Sequence, residues 1–307
     1  MKTDPVTPRD VARSVWAVPP LAPGPGADAA NAALARHVEA GGVTTLLWGG
    51  NANVYGLDLP GFEAMVEGIP GWVAPGTWAI PAVGPGPGTL RDHARILRGR
   101  GYPAAMPLPW MGPGAPEGLE AAIRDFVQIA GIPAILYLRH EGYLPAGRIG
   151  AMMADGTVAA IKYAVEAPDP GADPWLGELL RHVPAERVVS GDGEITGIAH
   201  MGAAPLAGFT AGAVCIAPRR AMTVLRAMQK GDRPAAEAAA GPIGALEGLR
   251  RRHGAIPVLH EAVTSSGIAD MGPLGAPFAP LPEAVRAEIA AAARALLEAE
   301  EALARAA

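Results

Sequence analysis

The sequence predicts an α/β fold, a (β/α)8 TIM barrel over residues 1–217 followed by a helical extension over 218–307. Three observations carry this expectation. Apolar runs of strand length alternate with amphipathic segments through most of the chain, the pattern of repeated βα units around a parallel sheet. Eight such runs fit between Val15 and Ile216, which suits a closed barrel better than an open sheet of five or six strands. A chain of 307 residues is long for one average domain but ordinary for a barrel kept as one unit.

Taken in order, the first expected strand is Ser14 to Val18, followed by a Pro/Gly-rich turn from Pro19 to Gly26. A helix from Asp28 to Glu39 turns Leu34 and Val38 inward and stops at Gly41-Gly42. The second strand is Val43 to Trp48, opening into the loop Gly49 to Gly56. Thr77 to Ile80 is the third, with a helix from Leu90 to Arg98 behind it, and Ala104 to Pro107 is the fourth. Gly84-Pro85-Gly86-Pro87-Gly88 reads as a rigid loop, because prolines lack the N–H groups a phosphate cradle needs. Between Glu117 and Ala130, Leu119, Ile123, Phe126 and Val127 recur at helical spacing, and Ile132 to Tyr137 is the fifth strand. A helix over Ala146 to Ala154 leads to the sixth strand, ending at Lys162, and a helix around Trp175 to His182 leads to the seventh, Arg187 to Ser190. The eighth is expected at Ala213 to Ile216. The remainder reads as helices over Arg219 to Lys230, Arg233 to Arg252, Pro257 to Ser266 and Pro282 to Ala304, with no linker long enough to free a second domain. That tail is expected to pack on the barrel or on another subunit.

Composition narrows the function classes. Only 18% of residues are charged and the formal charge is -5, so a large core is expected and nucleic acid is a poor partner. Gly or Pro interrupts every hydrophobic run before membrane-spanning length, and the first residues lack an apolar signal core, which points to the cytoplasm. The single cysteine, Cys215, forms no internal disulfide and reads as a small buried strand residue without an activating base. His37, His93, His182 and His200 have no partners at metal-ligand spacing, so no metal or other cofactor is implied, and His253 and His260 suit a surface or interface in the tail.

On a barrel, chemistry belongs at the C-terminal ends of the strands. Lys162 ends a run of small and β-branched residues, Gly156 to Tyr163, that reads as a strand buried on both faces. A dry cavity disfavours an ammonium and leaves an amine able to attack a carbonyl carbon, which is Schiff-base chemistry. The plainer alternative is a strand-end lysine reaching into water. Tyr137 ends the neighbouring strand, so its phenol is placed to pass a proton to or from the carbinolamine on Lys162, although a lone strand-end tyrosine is usually a packed aromatic. Arg139 and His140 follow in a loop facing the mouth and suit a distal carboxylate or hydroxyl.

The ordered set Pro133-Ala134-Ile135-Leu136-Tyr137, Ala160-Ile161-Lys162, Ser190-Gly191-Asp192 and Gly212-Ala213-Val214-Cys215, with the ending Gly272 to Pro282, resembles the dihydrodipicolinate synthase and N-acetylneuraminate lyase family of class I aldolases. The resemblance spans nearly the whole chain. It implies that Lys162 forms a Schiff base with pyruvate or another 2-oxo acid, that Tyr137 relays protons and touches the substrate carboxylate, that Val214 lines the pocket, and that Gly49 and Gly50 begin a carboxylate-binding loop. It also implies a homo-oligomer, a dimer or tetramer, with the loop Leu108 to Pro116 and its Trp110 closing a neighbour's site. The departures are specific. Where the family carries Gly-Thr-Thr-Gly-Glu, this chain has Gly49-Gly50-Asn51-Ala52-Asn53, so both hydroxyls and the glutamate are replaced. The Asn51 amide and the main-chain N–H groups remain as donors. Leu108-Pro109-Trp110 stands in place of the synthase's paired tyrosines, which argues against synthase activity proper. Asp192 and Glu194 lie where the family's sugar-acid lyases place acidic residues and suit the hydroxyls of a longer substrate; equally, Asp192 suits a helix cap. Two function classes follow: a lyase, aldolase or dehydratase, on a 2-oxo acid, or a barrel that has become a small-molecule binding or regulatory protein.

Overall fold

The computed structural model describes residues 1–24 and 26–306; Pro25, inside the turn expected over 19–26, and Ala307 lie outside the described residues. Eight parallel strands follow one another around a ring: β1 (Trp16–Ala17), β2 (Thr45–Trp48), β3 (Trp78–Val83), β4 (Met106–Pro107), β5 (Ala134–Leu138), β6 (Val158–Tyr163), β7 (Val188–Ser190) and β8 (Gly208–Ala211). β8 returns to β1, with Trp16 opposite Thr210 and Ala17 opposite Ala211. Ala105 bridges to Ala134 and joins β4 to β5, and the Ile135 N–H donates to the Ala105 carbonyl at 2.8 Å. The barrel is closed. Every strand residue is buried, since helices cover the outside and packed side chains fill the inside. That is why the strands read as unbroken apolar runs.

The strand expected at Ala213 to Ile216 lies elsewhere. Gly208 to Ala211 pairs with β7 and β1, and the chain then tightens into a 3-10 turn over Ala213–Cys215, with Cys215 N–H donating to the Gly212 carbonyl at 3.0 Å. The apolar run after Gly212 is thus a buried turn above the strand end. A continuous apolar stretch shows burial but leaves strand and turn undistinguished. Cys215 is fully buried there and burial pushes its thiol up, away from nucleophilic use.

The helices cover the barrel through one apolar face each. α1 (Pro8–Ala12), which was not expected, starts on a capping box between Thr7 and Asp10 and buries Val11, whose carbonyl accepts the Trp16 indole N–H at 3.1 Å. α2 (Asp28–Ala40) lies as expected. α3 (Leu59–Trp72) was missed, because Gly61, Gly68 and Pro70 make the stretch look like a loop. Asp58 nonetheless caps it by accepting from Gly61 N–H, and Phe62, Met65, Val66 and Ile69 are buried at helical spacing. α4 (Pro87–Leu97), α5 (Pro116–Ala130), α6 (Ala146–Ala154), α7 (Pro174–Leu179) and α8 (Gly193–Ala203) complete the ring. Pro87 opens α4, and Gly84 N–H donates to His93 Nδ1 at 3.2 Å, which fixes the Gly/Pro-rich loop. In the core, Trp16 and Trp78 meet edge to face with ring centroids 4.9 Å apart. Truncating either indole would cost about 3–5 kcal/mol.

The tail comprises α9 (Pro218–Gln229), α10 (Arg233–Ala240), α11 (Gly244–His253), α12 (Ala255–Ser265) and α13 (Glu283–Ala306). The single helix expected over Arg233 to Arg252 is broken by a 3-10 turn at Gly241–Ile243, where Pro242 lacks the N–H a continuing helix needs. That break redirects the chain between α10 and α11. α12 packs on the loop after β2, and α13 packs on α9, α11 and α12. Glu300 of α13 is buried and accepts the N–H groups of Arg219 and Arg220 at 2.8 and 3.1 Å, which caps α9 from a distance. His260 is not at the surface: it is buried, with its ring nitrogen 2.9 Å from the Gly272 carbonyl. Among the described residues no helix is long and apolar enough to cross a membrane.

Candidate active site

The C-terminal mouth of the barrel holds a cavity of about 130 Å³ lined by, among others, Gly50, Asn51, Tyr137, Arg139, Lys162 and Asp192. Larger grooves lie outside the barrel, one of about 650 Å³ beside Met65 and Trp72 and one of about 550 Å³ beside Met201 and Met228. Neither is lined by a lysine, tyrosine or arginine, whereas the mouth brings a lysine, a tyrosine and two arginines to one cavity.

Lys162 sits one residue before the end of β6, directly across from Tyr137 on β5. The parallel register brings the two side chains to the same face, and the lysine nitrogen stands 4.1 Å from the centroid of the Tyr137 ring. Lys162 is only 5% exposed, which removes the reading of a strand-end lysine reaching into water. Gly191 lets the chain after β7 close against it. A Cβ there would fall 2.7 Å from the Ala164 Cβ, closer than a side chain tolerates, and 3.1 Å from the Lys162 Cγ, a tight contact. Burial of Tyr137 works to raise its pKa, yet the positive groups of Lys162 and Arg139 outweigh that and bring the phenol below its ordinary value. The Arg139 Nη1 lies 3.5 Å from the phenol oxygen, whereas His140 is exposed, engages the Glu141 carbonyl and does not line the cavity.

The loop after β2 is tied into the protein. Asn51 donates through Nδ2 to the Val18 carbonyl at 2.7 Å and accepts through Oδ1 from Arg250 at 3.4 Å. Asn53, with a left-handed φ of 51°, donates to the Ala276 carbonyl at 3.0 Å. Gly50 lines the cavity, but Gly49 does not; the open side of Gly49 faces the Met106 side chain. Val214 is fully buried in the turn after β8 and also stays outside the lining. Asp192 is exposed at the cavity edge and its side chain makes no capping bond to α8, which leaves the carboxylate free to face a ligand. Glu194 lies behind the lining rather than in it. It is fully buried, and neither carboxyl oxygen has a hydrogen-bond partner among the described residues, so hydroxyl recognition by Glu194 is not what this geometry offers.

Three polar lining residues escaped the sequence reading: Thr210 of β8, and Glu247 and Arg250 of α11. Thr210 lies before the segment expected as the eighth strand, inside the true β8. Glu247 and Arg250 lie in Leu246-Glu247-Gly248-Leu249-Arg250-Arg251-Arg252, which reads as a solvated helix face, and nothing in that pattern signals that α11 leans over the mouth.

Fold and site together define a (β/α)8 barrel with a buried lysine and tyrosine in a small polar mouth. No family model matches the sequence, and no curated protein matches it. Solved structures do match in fold. Dihydrodipicolinate synthase from Bacillus clausii superposes with a TM-score of 0.78 at 20% identity, over 92% of this chain and 97% of that one. Dihydrodipicolinate synthase from Aquifex aeolicus gives 0.79 at 16% identity, over 94% and 98% of the two chains. Proteus mirabilis N-acetylneuraminate lyase gives 0.76 at 16%, over 92% and 98%. At these identities the likeness shows the fold of those enzymes across nearly the whole chain.

Proposed function

We propose that this chain is a class I lyase acting on a 2-oxo acid, pyruvate or a sugar acid, through a Schiff base on Lys162, as an aldolase or a dehydratase. One observation carries the reading: a lysine only 5% exposed, its nitrogen 4.1 Å from the centre of the Tyr137 ring, at the C-terminal mouth of a closed barrel. The likeness in fold to synthases and lyases supports the class. In this reading the Lys162 nitrogen attacks C2 of the 2-oxo acid, and Tyr137 passes the proton that lets the carbinolamine oxygen leave as water. The resulting iminium is an electron sink. In cleavage, the C4 hydroxyl gives up its proton, the C3–C4 bond breaks toward the iminium as an aldehyde forms, and C3 of the enamine is then protonated. In dehydration, a C3 proton is removed and hydroxide leaves from C4. Water releases the product and restores the amine in either case.

The cavity of about 130 Å³ suits a short acid, well below the roughly 300 Å³ or more of larger ligand sites. Asp192 would accept from a substrate hydroxyl, and Arg139 at the rim would meet a distal anionic group. We extend the proposal to a cytoplasmic homo-oligomer, at least a dimer through the Leu108 to Pro116 loop. Its buried free Cys215 fits a reducing compartment. A screen of 2-oxo acids for pyruvate release or dehydration tests the activity. Turnover by the wild type that is lost in both Lys162→Ala and Lys162→Arg supports it, since a guanidinium stays protonated and forms no imine. Turnover that survives either substitution contradicts it.

A further inference from the structure

Arg250 is a guanidinium lining the cavity, and its surroundings hold it there. It comes from α11, outside the barrel, and its side chain is 10% exposed. Its guanidinium lies against Gly212 at the end of β8: a Cβ at that position would fall 2.7–2.8 Å from Nη1, Cζ and Nη2. Glycine at 212 therefore permits a close approach that any side chain would block. Around the guanidinium, Nη1 donates to Glu247 at 2.6 Å, Nη2 to Asn51 Oδ1 at 3.4 Å and Nε to the Ala255 carbonyl at 3.3 Å. A guanidinium has five N–H groups. Three are accounted for, and one on each terminal nitrogen remains uncommitted beside the cavity.

Both side-chain amides of the β2 loop are engaged, Asn51 in holding Val18 and Arg250 and Asn53 in holding the Ala276 carbonyl. The side-chain hydroxyls of the cavity are those of Tyr137 and Thr210. Glu194 stands near Glu247 and Arg250 but is held toward its neutral form by burial and by the Glu247 charge, so Glu247 is the carboxylate that orients the arginine. A partly desolvated guanidinium with free N–H on both terminal nitrogens matches a carboxylate, which it binds with two parallel charge-assisted hydrogen bonds.

We infer that Arg250 takes the C1 carboxylate of the 2-oxo acid, doing from the helical tail what the β2 loop lacks the hydroxyls to do. The assignment rests on the Schiff-base reading and deepens it. A carboxylate on Arg250, in a cavity this small, sets C2 toward Lys162, which lines the same space. Arg250 is thus a specificity-determining binding residue, and the reacting bond stays with Lys162 and Tyr137.

The test is borohydride trapping of the imine, read by intact mass over a concentration series of pyruvate and of pyruvamide, its uncharged amide. Wild type is expected to trap pyruvate at concentrations at least about tenfold below those needed for pyruvamide, as losing a charge-assisted pair demands. Arg250→Gln is expected to lose that preference while trapping pyruvamide about as well as wild type. Because the readout is a ratio within one protein, partial misfolding cancels. Should Arg250→Gln fail to fold, Arg250→Lys, which keeps the charge without the fork, is expected to show an intermediate ratio. A variant that traps both carbonyls with the wild-type preference overturns the Arg250 assignment alone. A wild type that traps neither overturns the Schiff-base reading, and the assignment falls with it.

Discussion

Glu194 is a carboxyl with both oxygens buried and no hydrogen-bond partner among the described residues, at the start of α8 beside the mouth. Burial first, and the Glu247 charge second, push it up to about 8, against the opposing pull of Arg250. The folded protein therefore holds a proton that the unfolded chain releases near its ordinary value of 4.5. Its contribution is full below that value and is lost as pH rises through about 8, so between these limits stability falls with pH. Glu194→Gln removes that titration. Thermal melts are expected to show the variant gaining on wild type between pH 5 and pH 8, by up to a few kcal/mol. A difference that stays constant with pH would show that Glu194 is charged in the folded protein. Residue by residue, the site was legible where chemistry and strand position coincide. Lys162 and Tyr137 close apolar runs, and a polar residue at the end of a barrel strand faces the mouth. Arg250 and Glu247 were illegible because their position is set by the break at Gly241–Ile243, a tertiary consequence that no periodicity reports.

At the scale of elements, one helix-to-barrel distance is fixed by a glycine. α8 meets β8 at Gly197, where a Cβ would fall 2.8 Å from both Cβ and Cγ of Phe209. Gly197→Ala must push the helix outward or turn Phe209 from its rotamer, and overpacking of this kind costs about 1–3 kcal/mol. A lowered melting temperature is expected, and because α8 carries Gly193 at the cavity wall, weaker substrate binding is expected with it. An unchanged melting temperature would mean that this interface is looser than its geometry. The order of strands could be read because each run is buried on both faces and bounded by Gly or Pro. Two failures have physical causes. The eighth strand was displaced by a buried turn with the same apolar composition, and α3 was hidden by Gly61, Gly68 and Pro70, although Phe62, Met65, Val66 and Ile69 keep its period.

Across the whole molecule, barrel and tail make one site. Strands supply the lysine and tyrosine, while α11 supplies the arginine and its glutamate partner. The surface also bears on assembly. Trp110 is engaged by its own loop, donating to the Pro113 carbonyl at 3.0 Å, whereas Met111 beside it is 71% exposed and Tyr55 is 49% exposed. If the Leu108 to Pro116 loop is the subunit contact, Met111 is the apolar group that it buries. Light scattering at micromolar concentration is expected to show at least a dimer that Met111→Asp shifts toward monomer; a monomeric wild type contradicts the shared interface. Imine formation on one buried lysine can be measured directly: treat the protein with pyruvate and borohydride, digest it, and locate the modified peptide by mass. One stoichiometric adduct is expected on the peptide that contains Lys162, and none in Lys162→Ala. An adduct on another lysine, or its absence across a panel of 2-oxo acids, would contradict it.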